Sequence, residues 1–330
     1  MIHSVSAFIA ILAVASALSR SSVLKPFSEG NAFKVIAGLN NFDASIVKNV
    51  VSAACSGGAS HVDLACDANL VRLAKSISSD MPICVSSIKP IDFVAAVEAG
   101  ADMIEIGNFD GFYEQGLKFT AEDVIAMTIE TRSLLPNIPL SVTVPHTLSL
   151  SEQVALAIRL EECGADIIQT EGKMSVSPSS MGVQEMIEKA APTLAAGDYF
   201  DHFSSLSLSL SSHQQDLTNI INCFPLLISK LRIAAFAISR AVSIPVMCAS
   251  GLNDVTAPLA LAAGARGVGI GSMVNKLPNS QQVLAYYRYL EYFWRARTPT
   301  RLRNLFSSYM TLIRTERNHR TPRHILFSHF

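Results

Sequence analysis

Short apolar runs alternate along this chain with longer stretches whose apolar residues recur at three- and four-residue spacing. The short runs read as buried strands and the longer ones as amphipathic helices. Strands are predicted at Lys34–Leu39, His61–Ala65, Pro82–Ser87, Asp102–Gly107, Leu140–Val144, Asp166–Glu171, Pro245–Ala249 and Gly267–Gly271. Asp43 is placed as the N-cap of a helix reaching Cys55, which Gly57-Gly58 stops. Further helices span Asn69–Ser78, Pro90–Glu98 and Thr120–Leu134, the last opened by the capping pair Thr120 and Asp123. Ser151 is expected to cap the helix that ends at Cys163-Gly164. A last helix, Gln281–Ala296, carries Val283, Leu284, Tyr287, Leu290 and Trp294 on one side.

One junction recurs. Ala99-Gly100-Ala101-Asp102, Cys163-Gly164-Ala165-Asp166 and Ala263-Gly264-Ala265-Arg266 each end a helix in glycine and lead into a buried strand. Repetition of this kind points to stacked βα units. With two final strands ending in glycine-rich turns, it predicts an α/β protein of the (β/α)8 barrel type. In such barrels the chemistry sits at the C-terminal ends of the strands, and a phosphate cradle follows strands 7 and 8.

The rhythm breaks at residues 197–234, a Ser-rich, low-complexity stretch. Removing it joins Ala195-Ala196 to Ala235-Phe236 as one alanine-rich sixth helix. The segment is expected to be a surface loop or a retained intron. Val5 to Leu18 is apolar apart from Ser6 and Ser16, too short for a membrane span, and Ala15-Ser16-Ala17 fits a cleavage site. Residues 1–17 therefore read as a signal peptide and 18–30, Ser-rich and basic, as a transit-like segment. Together they resemble the two-part presequence of algal plastids, with secretion as the alternative. A single barrel is expected over 31–296. A basic tail, 297–330, closes the chain; from Tyr286 to Phe330 there are nine Arg against two Glu.

The chain has 330 residues, 49% of them hydrophobic, and a formal net charge of -1. That supports one large core and gives no global sign of nucleic-acid binding. The six cysteines lack any CxxC spacing and read as free thiols.

Five stretches carry a family resemblance. They are Lys34 to Phe42 (KVIAGLNNF), Met103 to Asp110 (MIEIGNFD), Pro139 to Thr147 (PLSVTVPHT), Ala165 to Gly172 (ADIIQTEG) and Ile244 to Leu252 (IPVMCASGL). On these the chain resembles the hypothetical chloroplast open reading frame twenty-three proteins of cyanobacteria and algal plastids, over roughly Lys25 to Leu277 without 197–234. The resemblance implies a plastid setting and a barrel. It supplies no catalytic residue.

Candidate chemistry therefore comes from the strand ends. Ser250, Gly251, Gly269, Gly271 and Ser272 could let backbone N–H groups cradle a phosphate, and this end resembles that of ribulose-phosphate-binding barrels. The other reading is that the glycines permit tight turns and close packing. Glu105 and Glu171 are candidates for an acid/base pair across a small site, against carboxylates hydrogen-bonded within the barrel. Lys173 could form a Schiff base; Lys89 is a similar candidate, and both could be loop lysines. Asp63 or Asp67 ends strand 2. His146 could donate a proton or simply shape the loop after Pro145. His61-Val62-Asp63 resembles the strand-2 metal motif of pentulose-phosphate epimerases, yet Ser86-Ser87 and Ala249-Ser250 stand where the other ligands belong, so no metal is predicted. No cofactor is predicted, since no GxGxxG follows a strand.

The expected partner is a small phosphorylated metabolite, with no nucleic acid and no stable membrane insertion. Two functions fit. One is an isomerase, epimerase or aldol-type lyase, with Glu105 and Glu171 facing one pocket. The other is a non-catalytic metabolite-binding or regulatory barrel whose ionisable groups neutralise one another.

Overall fold

The computed structural model describes residues 20–107, 109–113, 115–172, 234–252 and 256–271. The signal-peptide and basic-tail assignments at 1–17 and 297–330 lie outside these residues, as do the last predicted helix and the insertion at 197–234 apart from its final residue, Ala234, which is helical.

The strands are β1 (Ala32–Ile36), β2 (His61–Ala65), β3 (Ile83–Ser87), β4 (Met103–Ile106), β5 (Leu140–Val144), β6 (Ile167–Thr170), β7 (Val246–Cys248) and β8 (Gly267–Ile270). All pair in parallel with their neighbours, and β8 pairs with β1 to close the barrel. A helix over residues 20–29, α1, precedes β1. The others are α2 (Ala44–Gly57), α3 (Ala68–Ile77), α4 (Asp92–Glu98), α5 (Asp110–Tyr113), α6 (Ala121–Leu134), α7 (Leu150–Glu162), α8 (Ala234–Ala241) and α9 (Ala257–Ala262).

Local chemistry explains most helix ends. Asp43 and Asp67 accept from the first-turn amides of α2 and α3. Thr120 and Asp123 form a reciprocal capping box on α6. On α7 the cap is Ser149 with Glu152, not Ser151, because only Ser149 has an acid at the third helical position to answer it.

The recurring junction has one geometry. Gly100, Gly164 and Gly264 adopt φ of 108°, 91° and 106°, which suits glycine. The next residue, Ala101, Ala165 or Ala265, donates its N–H back into the preceding helix. The fourth position then ties neighbouring strands together. Asp102 accepts from the Ile83 N–H and Lys75, and Asp166 from the Leu140 N–H and Arg132. Gly58-Ala59-Ser60 repeats the geometry, with Ser60 accepting from the Phe33 N–H.

Side chains alternate between two apolar regions. Outward residues such as Val35, Leu64, Val85, Ile104, Val142 and Ile168 pack against the helices. Inside, Ala32, Cys84, Met103, Ile167 and Met247 form an apolar floor with Val23 and Phe27 of α1. α1 closes the N-terminal end of the barrel. Arg20 pairs with Asp166, the Val23 carbonyl lies 2.9 Å from His61 Nε2, and Phe27 packs on the His61 ring. The packed unit therefore begins by residue 20. The transit-like composition of 18–30 hid this helix, since its burial rests on Val23 and Phe27, with Leu24 half-buried beside them, rather than on a long apolar stripe.

Candidate active site at the barrel mouth

Inside the barrel, one layer above the apolar floor, the side chains turn polar. Lys34 on β1 reaches across to form a fully buried ion pair with Glu105 on β4. Gln169 on β6 donates to Glu105 Oε1 at 2.7 Å and to Thr143 Oγ1 at 3.2 Å. On β2, Asp63 accepts from Ser86 at 2.7 Å. Burial works against the Lys34 ammonium, but the charges of Glu105 and Asp63 outweigh it and hold the group well above its usual range. Burial pushes Asp63 up to about 7; Lys34 opposes this and Glu105 adds to it.

A second assembly sits two residues further along β6, at the C-terminal mouth. Glu171 Oε2 lies 3.0 Å from His146 Nδ1 and accepts from the Tyr113 hydroxyl at 2.9 Å. The His146 N–H also donates to it, at 3.3 Å. Tyr113 stands edge-on to the His146 ring, centroids 5.0 Å apart. Tyr113 belongs to α5, which the contacts of Phe109 and Phe112 with Phe119 hold in place. Glu171 and His146 are nearly buried, with side-chain exposures of 1% and 8%.

The turn after β7 lies against Gly172, the residue that follows Glu171. Ser250 has φ 63° and Gly251 φ 68°. A serine in the left-handed region costs about 1–2 kcal/mol. Gly172 lies against this turn so closely that a Cβ there would run into the Ser250 carbonyl.

The expected acid/base pair is therefore divided. Glu105 belongs to the buried layer with Lys34 and Gln169, while Glu171 is engaged by His146 and Tyr113. Each carboxylate is claimed by nearer polar partners. Lys89 is exposed in the β3–α4 loop; its N–H donates to Ser87 Oγ at 3.0 Å and its carbonyl accepts from the Asp92 N–H. Asp67 is a helix cap. His61 lies at the floor, its ring nitrogens facing Val23 and Ser60. Gly269 is required by packing, since a Cβ would lie 2.9 Å from Ile36 and 3.0 Å from Ala249. For Gly271 a Cβ would meet the Ile36 carbonyl at 3.1 Å. Lys173 and Ser272 lie outside the described residues. Among the described residues no cluster of His, Cys, Asp and Glu could hold a metal ion, and no helix is long and apolar enough to cross a membrane.

Lys34, Ser86, Gln169 and Tyr113 escaped the sequence reading. Lys34 carried a signal, a charge inside a parallel strand that should be buried on both faces. Placing β1 two residues late put Lys34 at a strand end instead.

A family described as a protein of unknown function, DUF561, matches residues 18–224 and 205–297. Similar proteins include the uncharacterized protein ycf23 of Cyanophora paradoxa, 39% identical over 76% of this chain and 87% of its own. That of Porphyra purpurea is 33% identical over 81% and 86%. Among solved structures, thiamine phosphate pyrophosphorylase from Pyrococcus furiosus is 16% identical, with 80% of this chain and 96% of that one covered and a TM-score of 0.46. 3-Hexulose-6-phosphate synthase is 12% identical over 78% and 99%, with a TM-score of 0.46.

Proposed function

This chain belongs to the ycf23 family, and on that premise we propose that its barrel binds a small phosphorylated metabolite at the C-terminal mouth and moves a proton there through His146. The observation that carries this is the His146–Glu171–Tyr113 assembly, followed at once in the chain by Gly172 packed on the strained Ser250 turn. A carboxylate on Nδ1 selects the tautomer and holds the ring, so Nε2 is the nitrogen that exchanges a proton with a ligand. Tyr113 and the His146 amide steady the carboxylate. Phosphate would rest on the turns after β7 and β8, where Ser250, Gly251 and Gly271 stand, with Lys173 and Ser272 following in the chain. Proton transfer next to a carbonyl is shared by isomerisation, epimerisation and aldol-type cleavage.

A second reading has its own support. Lys34 and Glu105 neutralise each other inside the barrel, as a non-catalytic binding protein would require.

The test uses the full chain. Inorganic phosphate and phosphorylated sugars are screened by thermal shift, and bound ligands are then incubated in D2O. The expected result is a raised Tm and deuterium entry at a carbon-bound position. His146→Asn should lower that exchange by about 10²–10⁴-fold, and Glu171→Gln should lower it less. Binding without exchange would leave only the binding reading; no shift from any phosphate compound would end the phosphate reading.

The plastid is the proposed setting, with the presequence to the stroma confined to the residues before Arg20, since most of the transit-like segment expected at 18–30 is helix α1. Because α1 closes the barrel, processing must spare residues 20–29. N-terminal sequencing of the mature protein is expected to begin at or before Arg20. A start after Phe27 would show that the barrel works without its plug.

A further inference from the structure

Three side-chain atoms in the barrel's polar layer are buried and have no hydrogen-bond partner among the described residues: Asp63 Oδ2, Ser141 Oγ and Gln169 Oε1. The Gln169 orientation is not arbitrary. Its amide nitrogen donates to both Glu105 and Thr143, and turning it over would set an oxygen against the Glu105 carboxylate. Its oxygen is therefore a true buried acceptor. Each such group is costly, and the fold avoids them on the floor, where Met103, Ile167 and Met247 fill space and only the Cys84 thiol turns to Asp63.

We infer that this layer is the inner end of the ligand site and takes a neutral, hydroxyl-bearing group, the polyol or hydroxy-carbonyl end of a small metabolite; the inference rests on the reading of the mouth above. Position supports it. Gln169 stands two residues before Glu171 on β6, and Ser141 lies on β5, the strand that leads to His146. Two residues of strand are about 7 Å, within reach of a short carbon chain anchored at the mouth. Charge supports it as well. Lys34 and Glu105 already balance, and burial pushes Asp63 towards its neutral form, so neither a cation nor an anion is favoured. Gln169 Oε1 accepts, the neutral Asp63 carboxyl can donate, and Ser141 Oγ does both, as a set of hydroxyls requires.

The test compares three- to six-carbon hydroxy-carbonyl phosphates with n-alkyl phosphates of equal length and with inorganic phosphate, on the full chain. All carry the group the mouth would hold; only the first kind addresses the layer. The expected result is at least tenfold tighter binding of a hydroxylated compound than of its alkyl counterpart. Ser141→Ala should reduce that preference by about tenfold while raising the Tm of the free chain, because it removes an unpartnered hydroxyl. Asp63→Leu, which removes the carboxyl, should also reduce it. Equal binding of alkyl and hydroxylated phosphates, or a preference unchanged in both variants, overturns the inference and leaves the phosphate reading standing. If inorganic phosphate and every phosphate ester fail to bind, the mouth reading falls and the inference falls with it.

Discussion

Replacing Lys34 by Met is expected to cost about 3–5 kcal/mol of stability, because it strands the Glu105 carboxylate where both side chains are wholly buried. The loss comes mainly from the uncompensated charge rather than from a missing attraction. Glu105→Gln should be milder at neutral pH. Asp63 is held up partly by Glu105; without Glu105 it gives up its proton more readily and can serve as the counter-charge to Lys34. The double variant Lys34→Met, Glu105→Gln removes both charges and should recover most of the loss. Urea denaturation of the four proteins reads this directly, provided the slope of the transition is unchanged. A Lys34→Met variant within about 1 kcal/mol of the parent would mean that the pair is not a buried, charged one.

Asp63→Asn is expected to make stability rise with pH between about 4 and 6.5, by on the order of 3 kcal/mol relative to the parent. Two groups with opposite linkage lie close together in the barrel. Burial is the main cause that lowers His61 from 6.5 to about 4, with the Lys34 charge adding to it. Its contribution is present above the unfolded value and is lost as pH falls through the folded one. Burial raises Asp63 from 3.8 to about 7. Its contribution is present below the unfolded value and is lost as pH rises through the folded one. The windows overlap, so in the parent the two slopes oppose each other. Asp63→Asn leaves the His61 slope alone. His61→Phe leaves the Asp63 slope, and stability should then fall from pH 3.8 towards 7. Denaturation midpoints for the three proteins across this range decide the matter. Parallel curves would show that neither group is perturbed by its burial.

Particular residues show how far the sequence could be read. The strand-and-helix rhythm gave β2 and β5 to the residue and the other strands within one, except β1, which was placed two residues late at its start and three at its end. It also gave the caps Asp43 and Thr120, because these depend on neighbours within one turn. It mistook Ser151 for Ser149, where two serines compete and only the acid three positions on discriminates. The candidate site was half legible. Glu171, His146, Glu105 and Asp63 stood out as ionisable groups at or near strand ends. Their pairing did not, since Lys34 meets Glu105 across 71 residues of sequence and Tyr113 meets Glu171 across 58.

The sequence by itself determined the barrel, its family and the face on which the mouth opens. Those follow from local periodicity, glycine-ended helices and long shared motifs, all contained within short spans of chain. Only the tertiary structure decided which carboxylate meets which base, that α1 closes the floor, and that a polar layer lies inside. Closing the barrel brings opposite strands within reach of one side chain. Strand register then sets which residues face inward, and a shift of one position would turn each away.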